Sequence, residues 1–135
     1  MNGSCLEYIR SDCFRYKGNA SPKTMILLYL KSSAFRWQVA FRLVHGFGII
    51  KMLGEIVWYL NMSRQRIQIE KHTSVGYGLY IAHDGPIVVN SSATIGNNCN
   101  LSQFTTIGAN GGGRKRRPSV TMFTLAQEYV VLIVL

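Results

Sequence analysis

The chain is short of acidic residues and of cysteine, and each shortage narrows its chemistry. Six Asp and Glu stand against fifteen Lys and Arg in 135 residues, a net charge of +9. Such a balance suits an anionic partner: nucleic acid, an anionic membrane surface or a polyphosphorylated small molecule. Charge alone does not choose among them. The three cysteines, Cys5, Cys13 and Cys99, are too few and too scattered for a disulfide framework, and no C-x-x-C pair offers a zinc or redox motif. A reducing cytoplasm and no resident metal are the corresponding expectations. No apolar stretch follows a basic start, so no secretory leader is read at the N-terminus. An uncharged span is lacking too. The window 39–60 is strongly apolar but contains Arg42, His45, Lys51 and Glu55, too much charge for a lipid-exposed transmembrane segment. It reads as a helix packed on a partner, with a membrane-surface helix as the alternative.

A length of 135 residues holds one compact domain, or a small domain with an appended module, but hardly two independent cores. The front of the chain reads as helical. Lys17-Gly18-Asn19-Ala20-Ser21-Pro22 is a break, and Ser21-Pro22 is a helix start. From residue 23 to 60 apolar residues cluster at three- and four-residue spacings, interrupted at His45-Gly46-Phe47-Gly48. The pattern predicts two or three helices before Ser63.

After Arg66 the period changes. Ile69, Val75 and Ile81 form one run with a step of six, and Val89, Ile95, Leu101 and Ile107 form a second with the same step. Glycine follows the aliphatic marker in Val75-Gly76, Ile95-Gly96 and Ile107-Gly108. Small residues, Thr73, Ala93, Cys99 and Thr105, stand four positions after a marker. A period of six fits neither the 3.6 of a helix nor the 2 of a long strand, but it suits a coil of very short strands with a turn after each. Each marker then points inward and stacks on its counterpart one turn away. Cys99 is read as a small inward packing residue.

From Ile81 to Val89 the interval is eight, so two extra residues must bulge from the coil within Ala82-His83-Asp84-Gly85-Pro86. The bulge contains His83, and a bulge on a rigid scaffold is a natural place to display a functional side chain. His45, in a helix, and His72, at a turn, have no such setting and read as structural or solvated.

Val75-Gly76-Tyr77-Gly78-Leu79-Tyr80-Ile81-Ala82-His83 followed by Gly85-Pro86-Ile87-Val88-Val89-Asn90, and then Ile95-Gly96-Asn97-Asn98-Cys99-Asn100 with Thr105-Thr106-Ile107-Gly108, resemble the left-handed β-helix acyltransferases. Within them the likeness is to serine acetyltransferases and related polysaccharide O-acetyltransferases, over roughly the second half of the chain. The resemblance implies an α+β chain: an α-helical region over 1–63, a short left-handed parallel β-helix of hexapeptide repeats over 64–117, and an aberrant or capping apolar tail over 118–135. It implies an acetyl-CoA-dependent O-acetyltransferase, without a metal, acting on serine or a sugar hydroxyl in a groove between coils of a homo-oligomer, usually a trimer. His83 is then the catalytic base, a task imidazole suits because it titrates near neutral pH.

Three departures bear on that assignment. The aspartate that precedes the family's histidine is replaced by Ala82, with Asp84 on the other side as the substrate-binding candidate. The aspartate that orients the imidazole aligns with Gln68, and Glu70, two residues along, is its stand-in. Gly111-Gly112-Gly113-Arg114-Lys115-Arg116-Arg117-Pro118 falls where the family has a glycine-rich loop ending in Arg-His-Pro. Arg116 matches the arginine and is a second substrate-binding candidate, whereas Arg117 replaces the histidine and leaves room for a sugar acceptor. Ile107, Gly108, Ala109, Gly111, Lys115 and Arg117 are the cofactor-binding candidates, the glycines admitting close approach and the cations meeting the phosphates of coenzyme A. A nucleic-acid reading of this basic run ranks below the cofactor loop, since no aromatic residues interleave to stack bases.

Beyond Pro118 the repeat is lost. One reading is a short helix or strand that caps an open coil. Another comes from the genetic code. Reading the last base of each codon with the first two of the next, synonymous codons exist for which residues 118–130 become Ile-Gly-Asp-Asn-Val-Tyr-Ile-Gly-Ala-Gly-Val-Cys. These are two further hexapeptides, and they predict a frameshift near Pro118. In that case residues 130–135 form an unselected apolar tail with strand propensity. The competing functional class is then a non-catalytic product that keeps the helices and about two coils.

Overall fold

The computed structural model describes residues 4–62, 66–83 and 85–108, and the backbone of 119–120. The chain divides into two compact units, residues 1–65 and 66–135. Among its described residues the first contains four helices, where the sequence predicts two or three. Helix α1 spans Cys5–Lys17 and is missed because its short apolar content hides behind charge. Its start is nevertheless written in the sequence as a capping box: Ser4 Oγ accepts from the Glu7 amide at 3.3 Å while Glu7 Oε2 accepts from the Ser4 amide at 2.8 Å. Its end is Gly18, at φ +67°, whose amide donates to Phe14 O.

Helix α2, Pro22–Lys31, begins where the sequence places it, with Ser21 as N-cap and Pro22 in the first turn. Ser32 then closes α2 and opens α3, Ser33–Val44. Its amide donates to Leu28 O at 2.8 Å, and its hydroxyl accepts from the Phe35 amide at 3.1 Å. A single serine serving both ends leaves no loop for composition to reveal, which accounts for the uncounted helix. Helix α4, Gly48–Met62, follows the interruption at 45–48.

The core of this unit is aromatic. Trp37 and Phe41 stack with centroids 5.2 Å apart, and Trp58 from α4 meets them at 5.6 and 6.0 Å. Burying side chains of this size contributes about 1.5–3 kcal/mol each. Helices α3 and α4 approach so closely at Gly54 that a Cβ there would lie 2.5 Å from the backbone of Leu43 and Val44. His45 ends α3 with Nδ1 2.8 Å from Phe41 O and its ring against that of Phe41, a structural role. Outward, α4 exposes Ile49, Met52, Leu53, Ile56, Tyr59 and Leu60. No helix among the described residues is long and apolar enough to cross a membrane.

The second unit is built from strands of two or three residues: β1 Ile67–Ile69, β2 Ser74–Val75, β3 Tyr80–Ile81, β4 Ile87–Val89, β5 Thr94–Ile95, β6 Asn100–Leu101, β7 Thr106–Ile107 and β8 Ser119–Val120. They pair in parallel, each with the third strand on, giving three sheets of order β1-β4-β7, β2-β5-β8 and β3-β6. The chain therefore visits the sheets in rotation. All seven markers, Ile69, Val75, Ile81, Val89, Ile95, Leu101 and Ile107, are at most 3% exposed, as the period of six requires. Thr73, Ala93 and Cys99 are buried with them, whereas Thr105 is half-buried.

Register records the insertion. Ile69 stands beside Val89, twenty residues on, but Val89 stands beside Ile107, eighteen on. Circuits that cross residues 82–86 are longer by two. Strand β8 places Val120 beside Ile95, so the parallel pairing reaches past residue 117, where the sequence reading ends the repeat. The longer interval from Ile95 to Val120 is what hides this strand from a count of six.

Candidate active site

The two extra residues sit at the corner between β3 and β4 and are tied down at both edges. The Ala82 amide donates to Leu101 O at 3.3 Å, and Pro86 O accepts from the Phe104 amide at 2.6 Å. Ile87 beyond it is fully buried and its amide donates to Arg66 O. The insertion is thus clamped from one side by the corner of the next turn, residues 102–105. His83 is exposed at its crest. Gly85 beneath is buried, and a Cβ there would lie 2.6 Å from Gln103 Cβ. Only glycine lets the inserted loop lie this close to the following turn.

The imidazole of His83 has no hydrogen-bond partner among the described residues. Gln68 and Glu70, considered from sequence as its orienting group, are both exposed, and neither is joined to it. An imidazole held only through its backbone can accept a proton, with its ring orientation set by groups outside the described residues or by a bound molecule. Among the described residues no three His, Cys, Asp or Glu gather as a metal site.

Two of the cofactor candidates, Ile107 and Gly108, lie among the described residues. Ile107 is a buried marker whose carbonyl accepts from the Asn90 amide at 2.9 Å, so its side chain cannot face a ligand. Gly108 is exposed, with open space where a Cβ would be. It follows β7, whereas His83 precedes the paired strand β4. They therefore lie at opposite edges of the first sheet, separated by a strand of three residues, about 10 Å. Asp84, Ala109, Gly111, Lys115, Arg116 and Arg117 lie outside the described residues.

A residue that the motifs do not single out is bonded to the loop that carries His83, its amide donating to Pro86 O. Phe104 has φ +63° and is 75% exposed. Two other corners have a residue at positive φ three positions after a marker: Gly78 at +69° after Val75, and Asn98 at +54° after Ile95. Glycine and asparagine tolerate that conformation; phenylalanine at the same offset from Leu101 does not, at a cost of about 1–3 kcal/mol. The repeat offset itself is the signal that would have found it.

No family model matches the chain, and no curated protein matches it in sequence. Solved structures do. Soybean serine acetyltransferase complexed with serine superposes with a TM-score of 0.59 at 21% identity, over 86% of this chain and 49% of that one. The chain shares the fold of serine acetyltransferases. Isoform 3 of the Entamoeba histolytica serine acetyltransferase, in complex with cysteine, gives 0.54 at 25% identity, over 84% of this chain and 42% of that one. A serine acetyltransferase in complex with CoA gives 0.51 at 22%, over 87% and 48%. The chain spans about half the length of these relatives.

Proposed function

We propose that the chain is an acetyl-CoA-dependent O-acetyltransferase whose strands form a left-handed β-helix. The observation that carries the reading is the two-residue insertion that displays His83, exposed and pinned, on an otherwise regular coil. Structural neighbours described as complexes with serine and with CoA support it. In the reaction, an acceptor hydroxyl oxygen attacks the thioester carbonyl carbon as His83 takes the hydroxyl proton. The tetrahedral oxyanion then collapses, the C–S bond breaks, and the imidazolium returns its proton to the departing thiolate of coenzyme A.

Acetyl-CoA runs along the edge of the first sheet, with its thioester at His83 and its phosphates beyond Gly108, at Lys115 and Arg117. The acceptor, serine or a sugar hydroxyl, is held by Asp84 and Arg116. The protein assembles as a homotrimer that closes the groove between coils. The exposed apolar side of α4 supports assembly, because a large exposed apolar patch marks an interaction surface.

Acetyl-CoA consumption, followed as released thiol with serine and a panel of sugars, tests the reading. Transfer by the wild type and a loss of at least about 100-fold in His83→Ala are expected for a general base. A folded wild-type protein that binds no coenzyme A overturns the enzyme and favours the non-catalytic product.

A further inference from the structure

We infer that Phe104 is an acceptor-binding residue, and that its ring selects a pyranose over serine; the inference rests on the reading of His83 as the base. Three observations meet at this residue. Its backbone is strained, since φ +63° is the left-handed region in which a bulky side chain is disfavoured. Its ring is exposed at 75%, so no packing inside the coil offsets that strain. Its amide donates at 2.6 Å to Pro86 O, which fixes its corner to the inserted loop three residues after His83.

A strained side chain that fills no core points to a role in what it presents to solvent. Here it presents an apolar aromatic face on the corner bonded to the loop that carries His83. Serine is small and zwitterionic, with a single methylene and no apolar surface to lay against a ring. A pyranose has a face of axial C–H groups with hydroxyls around its rim, so stacking on Phe104 would present one rim hydroxyl toward the neighbouring corner where His83 stands. The aromatic ring supplies area and the imidazole supplies the chemistry, the usual division in a site with apolar walls and few polar groups. Neither Gly78 nor Asn98, at the equivalent corners, offers such a face.

The test uses the whole chain with acetyl-CoA and three acceptors: L-serine, N-acetyl-D-glucosamine and methyl β-D-glucopyranoside. Asparagine suits the left-handed backbone, so Phe104→Asn should fold at least as stably as the wild type. The wild type should prefer a pyranoside, and Phe104→Asn should raise KM for it roughly tenfold, the effect of losing one stacking contact of about 1.4 kcal/mol. KM for acetyl-CoA should not change, and Phe104→Trp should restore sugar affinity. An unchanged sugar KM in Phe104→Asn, or a wild-type preference for L-serine, overturns the inference while leaving a His83-dependent transferase standing. A change in oligomer mass without a change in sugar KM also overturns it, by making Phe104 a contact between subunits. Absence of transfer to any acceptor, together with absence of coenzyme A binding, removes the function and this inference with it.

Discussion

Arg42 and Asp12 form a two-point ion pair, Nε to Oδ2 at 2.9 Å and Nη2 to Oδ1 at 3.1 Å, with both side chains fully buried. The guanidinium also lies 4.9 Å from the ring centroid of Tyr8. Arg42 is thus the largest fully buried side chain of the helical unit, and it joins α3 to α1. Removing one partner strands the other charge away from water. Asp12→Ala should therefore cost about 3–5 kcal/mol, measured as a fall in the urea midpoint. Replacing both with apolar residues, Asp12→Leu with Arg42→Met, should recover most of that loss, because the uncompensated charge and not the missing attraction is what destabilises.

At the second unit the sharper probe is Gly85. An added methyl group would meet Gln103 Cβ at 2.6 Å and Gln103 Cα at 3.4 Å. The near atom is at the root of a side chain, so the inserted loop itself must move. Gly85→Ala should cost about 1–3 kcal/mol as overpacking. On the proposed reading of His83 as the base, it should also lower kcat by more than its effect on folding, since a displacement of about 1 Å at a reacting group removes up to a hundredfold of rate. Thermal unfolding and steady-state rates on the same preparation separate the two effects.

The coil was legible from sequence because its determinant is local and periodic. Each marker needs only to be apolar and six residues from the next, and all seven are buried. The helical unit was less legible because its boundaries depend on single side-chain contacts. Ser32 ends one helix and starts another with no intervening residue, and α1 is announced by a reciprocal bond between Ser4 and Glu7. His83 was visible through a gap in the period. Phe104 was not, because its significance lies in a backbone dihedral and in a bond to Pro86 across a turn. Their one trace in the sequence is the offset of three from Leu101, which Gly78 and Asn98 share after Val75 and Ile95.

Cys13 allows a pH prediction. Burial pushes its thiol above the ordinary range, the Asp12 carboxylate adds to the rise, and Lys17 opposes it. Raising the pKa in the folded state favours the neutral thiol there. The corresponding stability is whole below the unfolded thiol value, near 8.5, and is lost as pH rises from there through the folded value. Urea midpoints from pH 7 to 10 should show the wild type losing its advantage over Cys13→Ala as pH rises. A difference that stays constant across the range would show that the thiol contributes only by packing. Cys99, fully buried between turns, should likewise react slowly with thiol reagents in the folded state, and Cys5, half-buried, faster.

The last prediction concerns the gene. Strand β8 sets Val120 beside Ile95 in parallel register, continuing the stack that begins at Val75. Residues 121–135 then show no step of six. A single-base shift near Pro118 is the predicted cause of the lost step; it does not account for β8, whose two residues lie beyond it. The second base of a shifted codon is the first base of the next residue's codon. At both positions read as Val it is thymine whatever the codon, because Phe123 and Tyr129 are encoded only by codons that begin with it, and at both positions read as Ile it is thymine when Ser119 is coded TCN and Leu125 TTR. The nucleotide sequence should therefore contain, one frame away, the two hexapeptides Ile-Gly-Asp-Asn-Val-Tyr and Ile-Gly-Ala-Gly-Val-Cys. Codons incompatible with that reading would exclude it. Restoring the frame by a one-base change upstream of residue 118 should yield a chain whose coil continues with the same period, and in which the melting temperature rises because each added turn buries another set of markers against the last.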